Sequence, residues 1–109
     1  MGGETVLKIQ YQGKLEKILT NERLLKKEYT QYHRNIISRM VELSSVDDLS
    51  EISTSPPPIR HKLTGTYEGC WAVWYSKNDR IVFRPIGEYN IEDIKTIKEI
   101  IIIFVGDYH

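Results

Sequence analysis

The chain has 109 residues, 40% of them hydrophobic, and its 15 Lys or Arg are balanced by 15 Asp or Glu, which is enough for one core and too little for two domains. No apolar run reaches the roughly 18 residues of a membrane span and no charged-then-apolar leader is visible, so one domain over 1–109, cytoplasmic and without a membrane role, is expected. The neutral balance gives no global nucleic-acid signal. The single cysteine, Cys70, excludes an internal disulfide and has no ligand cluster for structural zinc.

In chain order, Val6, Leu7, Ile9 and Tyr11 predict an opening strand over 5–11. Leu15, Ile18, Leu19, Leu24 and Leu25 then fit a helical stripe with a break near Thr20-Asn21, and Ile36, Ile37, Met40, Val41 and Leu43 fit a second. Tyr29, Tyr32, His33, Arg34 and Arg39 read most simply as a surface stripe. Ser44 to Pro58, with Asp47-Asp48 and Pro56-Pro57-Pro58, reads as a linker or capped turn, because three prolines exclude ladder bonding.

After the prolines the period changes to two, predicting strands at 59–63, 68–76, 80–85 and 99–105, three of them antiparallel neighbours. Lys77-Asn78-Asp79 is a hairpin loop between two apolar runs. The stretch from Tyr89 to Lys95 fits a short helix and a hairpin arm equally well.

Charge is unevenly distributed. Residues 1–43 carry eight bases against five acids and residues 56–90 carry five against three, whereas 44–55 has three acids and no base. Arg60, Lys62, Lys77, Arg80 and Arg84 interleave with Tyr67, Trp71, Trp74 and Tyr75, a mixture suited to phosphates and bases and equally to a half-solvated sheet. Strand alternation puts Arg80 and Arg84 on one face, with Ile81 and Phe83 opposite in the core, and gives Arg60, Lys62 and Thr64 one parity. At the end of the last strand stand a carboxylate, a phenol and an imidazole, Asp107-Tyr108-His109. Alternation places Tyr108 opposite the other two, unless Gly106 turns the chain.

Three segments, in order, carry a resemblance: Arg60-His61-Lys62-Leu63-Thr64-Gly65 followed by Glu68-Gly69-Cys70-Trp71-Ala72-Val73, then Asn78-Asp79-Arg80-Ile81-Val82-Phe83, and Asp107-Tyr108-His109. After two helices and an acidic turn, this pattern resembles the HigB branch of the RelE/ParE toxin superfamily over about 100 residues. The resemblance implies a RelE/ParE-like α+β fold, an N-terminal strand and helix pair packed on a small, mainly antiparallel sheet, and a ribosome-dependent endoribonuclease that cuts mRNA in the decoding site without metal or other cofactor. It further implies a HigA-like helix-turn-helix antitoxin, an oligomeric toxin-antitoxin complex, and contacts with mRNA and 16S ribosomal RNA.

Such cleavage needs a base for the ribose 2′-hydroxyl, an acid for the leaving 5′-oxygen and cations for the phosphorane. By this resemblance His109 is the general base or acid, Asp107 orients it or activates the hydroxyl, and Tyr108 stacks on a base or donates a hydrogen bond. Arg80 stabilises the phosphate and His61 holds RNA or assists proton transfer, while Arg60, Lys62, Thr64, Arg84 and Trp71 are candidate RNA contacts. One position departs from the pattern: Thr64 stands where many HigB-like toxins carry lysine. A ParE-like gyrase inhibitor on the same fold, or a non-catalytic module that binds RNA or antitoxin, are the other readings.

Overall fold

The computed structural model describes residues 6–108. Its elements are β1 (Lys8–Tyr11), α1 (Leu15–Leu19), α2 (Glu22–Glu28), α3 (His33–Ser44), β2 (His61–Lys62), β3 (Trp71–Trp74), β4 (Arg80–Pro85) and β5 (Glu99–Gly106). The break at Thr20-Asn21 is real, and Asn21 creates it by capping α2, its side chain accepting from the Leu24 amide at 3.2 Å. The strands form one sheet in the order β1-β5-β4-β3-β2, in which β2, β3, β4 and β5 are antiparallel neighbours and β1 runs parallel to β5. The α+β expectation therefore holds. The undecided stretch holds an isolated bridge between Asn90 and Asp93 and then a short 3₁₀ helix at Ile94–Thr96, fastened by the Thr96 hydroxyl to the Asn90 and Asp93 carbonyls.

The helices cover one face. Leu25, Ile36, Leu43, Leu49 and Ile52 bury against Val73, Tyr75, Ile81, Phe83, Ile100, Ile102 and Val105 from the sheet. Ile81 and Phe83 thus occupy the expected side. Tyr29 and Tyr32, read from sequence as surface residues, instead pack against this core: Tyr29 hydrogen-bonds the Val105 carbonyl and Tyr32 meets Tyr75 edge to face at 6.1 Å. Their rings bury and only the polar rims need partners, which a helical stripe alone does not reveal.

The other face is more open, and its smaller cluster of Leu63, Cys70, Ala72 and Val82 is shielded by Tyr67, Ile103, Phe104 and Tyr108. A register shift makes this possible. Val82 pairs with Phe104 but Phe83 pairs with Ile102, so Ile103 is an extra residue in β5. Such a bulge twists a strand and re-aims the residues beyond it, and here it turns Phe104 and the tail toward the open face.

Candidate active site on the open face of the sheet

The register assembles the site. His61 pairs with Ala72, Ala72 with Val82 and Val82 with Phe104, so these four form one row across the open face. Directly opposed residues share a face, and by alternation Trp74, Arg80 and Arg84 project there too. From β2 the chain curls through a 3₁₀ turn, Gly65–Tyr67, that carries Tyr67 over the sheet onto Tyr108 (5.5 Å between ring centroids) and Phe104 (6.1 Å). The turn and the tail flank an open cleft of about 480 Å³ lined by Thr64, Thr66, Tyr67, Phe104, Asp107 and Tyr108.

Asp107 and Tyr108 thus line one cavity, where alternation put them on opposite sides. The strand ends at Gly106, whose φ of +150° disfavours side chains and whose Cβ would meet the Phe104 ring at 3.3 Å. Beyond it the chain is free of the ladder's two-residue period. His109 lies outside the described residues.

His61 is half-buried, and its Nδ1 lies 3.1 Å from the Ile59 carbonyl oxygen. A carbonyl only accepts, so Nδ1 carries the hydrogen and the Nε2 of the neutral ring keeps its lone pair, the form a general base requires. The carbonyl is aimed by an unusual backbone, since Ile59 has φ +45°, a left-handed conformation costly for a β-branched residue.

Arg84 and Arg80 differ although they share a face. Arg84 is exposed and close enough to Cys70 for its charge to oppose the upward pull of burial on that thiol. Arg80 is buried, 6% exposed, with its guanidinium 3.8 Å from the centroid of Trp74. Its Nη1 donates to the carbonyl oxygens of Ser76 (3.2 Å), Lys77 (3.2 Å) and Asp79 (3.1 Å). The two arginines expected on one face, Arg80 to stabilise the phosphate, are therefore one exposed arginine and one that fastens the hairpin, because the turn presents three carbonyls to the nearest strong donor.

Lys62, Trp71 and Arg60 belong elsewhere. Lys62 pairs with Trp71, which packs on the helix-side core, so both sit on the face opposite His61. Arg60 lies over Trp71 at 5.1 Å and its Nε donates to the Ile52 carbonyl at 2.7 Å, with burial lowering its pKa from the ordinary arginine value. The structure thus gathers Thr64, Asp107 and Tyr108 around one cleft, places His61 and Arg84 on the same face of the sheet, and separates Arg60, Lys62 and Trp71 from them. Sequence reasoning missed Thr66 and the shielding role of Tyr67 and Phe104; the one available signal was Gly65, which permits the turn that folds the loop inward. Among the described residues, no cluster of three or more His, Cys, Asp or Glu is placed to hold a metal, and no helix is long and apolar enough to cross a membrane.

The fold has counterparts among solved structures. YafQ from E. coli, as a histidine-to-glutamine mutant, superimposes with a TM-score of 0.61 at 13% identity over 94% of this chain and 93% of that one. A YoeB/ParE toxin from Agrobacterium tumefaciens gives 0.58 at 10% identity over 94% and 100%, and YafQ from E. coli strain BL21(DE3) gives 0.56 at 13% identity over 94% and 93%. The chain therefore has the RelE/ParE-like toxin fold. No protein-family model matches the sequence, and no curated protein does.

Proposed function

We propose that this protein is the toxin of a toxin-antitoxin pair and acts as a metal-independent, ribosome-dependent mRNA endoribonuclease of HigB type. The observation that carries the reading is the open face, where Thr64 and the Asp107-Tyr108 tail line a cleft of about 480 Å³ and His61, with its Nε2 lone pair, and the exposed Arg84 project from the same side of the sheet. A fold shared with YafQ and YoeB/ParE toxins supports it. In this mechanism a histidine takes the proton of the ribose 2′-hydroxyl, whose oxygen attacks the adjacent phosphorus. The 5′-oxygen leaves with a proton from a second group, and a cyclic phosphate remains.

His109, next in sequence after Tyr108, and His61 are the two proton-transfer candidates. Asp107 orients an imidazole, Tyr108 and the Thr64 hydroxyl meet the ribose or base, and Arg84 offsets phosphate charge. Arg80 serves by holding the hairpin. The protein works on cytoplasmic ribosomes, contacting 16S ribosomal RNA and mRNA, and is neutralised by a HigA-like helix-turn-helix antitoxin in an oligomeric complex.

Primer extension on mRNA bound to programmed ribosomes tests this reading. Cuts at A-site positions that need both the ribosome and residues 107–109 are expected. Intact mRNA with folded protein and competent ribosomes would turn the assignment toward a ParE-like gyrase inhibitor or a non-catalytic binding module.

A further inference from the structure

Trp74 is a large indole that the fold's packing does not account for. It projects from the open face, half-buried, yet belongs to neither apolar cluster of the described residues, unlike Trp71, which packs on the helix-side core. Its partner is a cation. The Arg80 guanidinium lies 3.8 Å from the ring centroid and is itself held by three carbonyls of the hairpin turn. The ring is thus mounted on a fixed, charged support, which removes the entropy cost of ordering it on binding.

Its position relative to the chemistry is set by the register. Ala72 pairs with His61, and Trp74 lies two residues further along the same strand and on the same face, diagonally across from His61 at roughly 7–8 Å. That separation is comparable to one extended nucleotide step. Trp74 also borders a groove of about 490 Å³ at the edge of the sheet, lined in part by Asn35, Ser38, Arg39 and Ser76, in which Arg39 is paired with Glu42 and the Ser76 hydroxyl donates to Asp79. Asn35 spends a side-chain N–H on the Tyr75 carbonyl at 2.8 Å, which fixes its amide at the wall of the groove.

From this placement we infer that Trp74 is a stacking subsite for a base of single-stranded RNA, one nucleotide removed from the phosphate at His61, with the strand continuing into the Asn35–Ser76 groove. The inference rests on the nuclease reading and adds to it a residue that fixes the substrate's position. Stacking on an aromatic face is tolerant of sequence, so the subsite governs binding and register more than base identity. A tryptophan that only shielded Arg80 would not distinguish bases from bare backbone.

The test uses the Trp71→Phe protein, whose remaining tryptophan is Trp74. It is titrated with a 2′-O-methyl trinucleotide, which cannot be cleaved, and with the same backbone lacking bases. Quenching of the indole emission by the first and not the second is expected. Equal quenching by both, or none up to millimolar concentration, overturns the subsite.

In parallel, Trp74→Leu and Trp74→Phe are assayed on programmed ribosomes after their folding is confirmed by thermal melting. Leucine should raise the half-saturating concentration about 10-fold with little change in kcat, and phenylalanine should recover most of the loss. A wild-type half-saturation for the leucine protein overturns the proposal. Failure of the wild type to cut at all sinks the nuclease reading instead, and the fluorescence titration then decides the stacking site by itself.

Discussion

Tyr29, the residue that closes α2, donates its hydroxyl hydrogen to the carbonyl oxygen of Val105 across 3.1 Å. The helical layer is thereby tied to β5 two residues before Asp107, so the tail inherits its position from the core. Replacing Tyr29 with Phe removes that bond while keeping the ring, and should cost about 1 kcal/mol in denaturant unfolding. If the tie also positions the tail, kcat falls several-fold while half-saturation holds. Unchanged stability and turnover would show that the strand holds the tail without it.

The buried phenols predict an alkaline limit to stability. Burial pushes the Tyr75 hydroxyl well above the ordinary tyrosine value, with Asp79, Tyr29, Tyr32 and Asp107 adding to the effect, and Tyr29 and Tyr11 shift the same way, also chiefly through burial. The unfolded chain then gives up these protons near pH 10 while the folded chain keeps them. Unfolding therefore releases protons and is favoured by rising pH, so this stability is fully present below about pH 10 and is lost above it. The melting temperature should fall steeply from that point, and less steeply for Tyr75→Phe. Parallel pH profiles for the two proteins would contradict the assignment.

Arg80 matches the toxin pattern, yet its guanidinium is committed to the hairpin. Arg80→Met keeps the stem over Trp74 but leaves the Ser76, Lys77 and Asp79 carbonyls without their donor, a loss of about 2 kcal/mol by denaturant titration, with faster amide exchange in β3 and β4. Wild-type stability together with abolished cleavage would mean that Arg80 reaches the phosphate after all, and its place in the hairpin would be a resting pose.

Much of the scaffold was legible because its signals are local. β4 runs from Arg80 to Pro85 as alternation and the hairpin loop require, and Asn21 ends one helix and caps the next. The site was harder to see. Ile100 to Phe104 is a continuous apolar run with no alternation to betray the extra residue at Ile103, although that residue decides which way Phe104 and the tail turn. Parity likewise gave Arg80 and Arg84 one face but not one environment, since the carbonyls that capture Arg80 belong to a turn whose conformation residue types alone do not specify. Nor does parity extend to Thr64, which left the strand for a 3₁₀ turn and so joined Asp107.

The two histidines should separate by which kinetic parameter they change. His61→Gln and His109→Gln should each lower single-turnover cleavage by about 10²-fold if both transfer protons. If only His109 does, His61→Gln leaves the single-turnover rate near wild type and raises half-saturation alone. Full activity in both variants would remove proton transfer by histidine from the mechanism.

Thr64 offers a gain-of-function test. It is exposed, lines the cavity with Asp107 and Tyr108 just before the Gly65–Tyr67 turn, and takes the place of a lysine in the HigB resemblance; on the proposed nuclease reading its hydroxyl would bring no charge to a developing phosphorane. Lys62 does not compensate, because it pairs with Trp71 on the face opposite His61. A lysine at 64 would place an ammonium at the cavity mouth without disturbing buried contacts, so Thr64→Lys should leave the melting temperature within a few degrees of wild type. One added cation near the transferring phosphoryl group should raise single-turnover cleavage about 10-fold, with Thr64→Gln, similar in reach but uncharged, giving no gain. A gain equal for both variants would trace the effect to side-chain length, and no gain from lysine would show that the substrate's phosphate passes elsewhere on the open face.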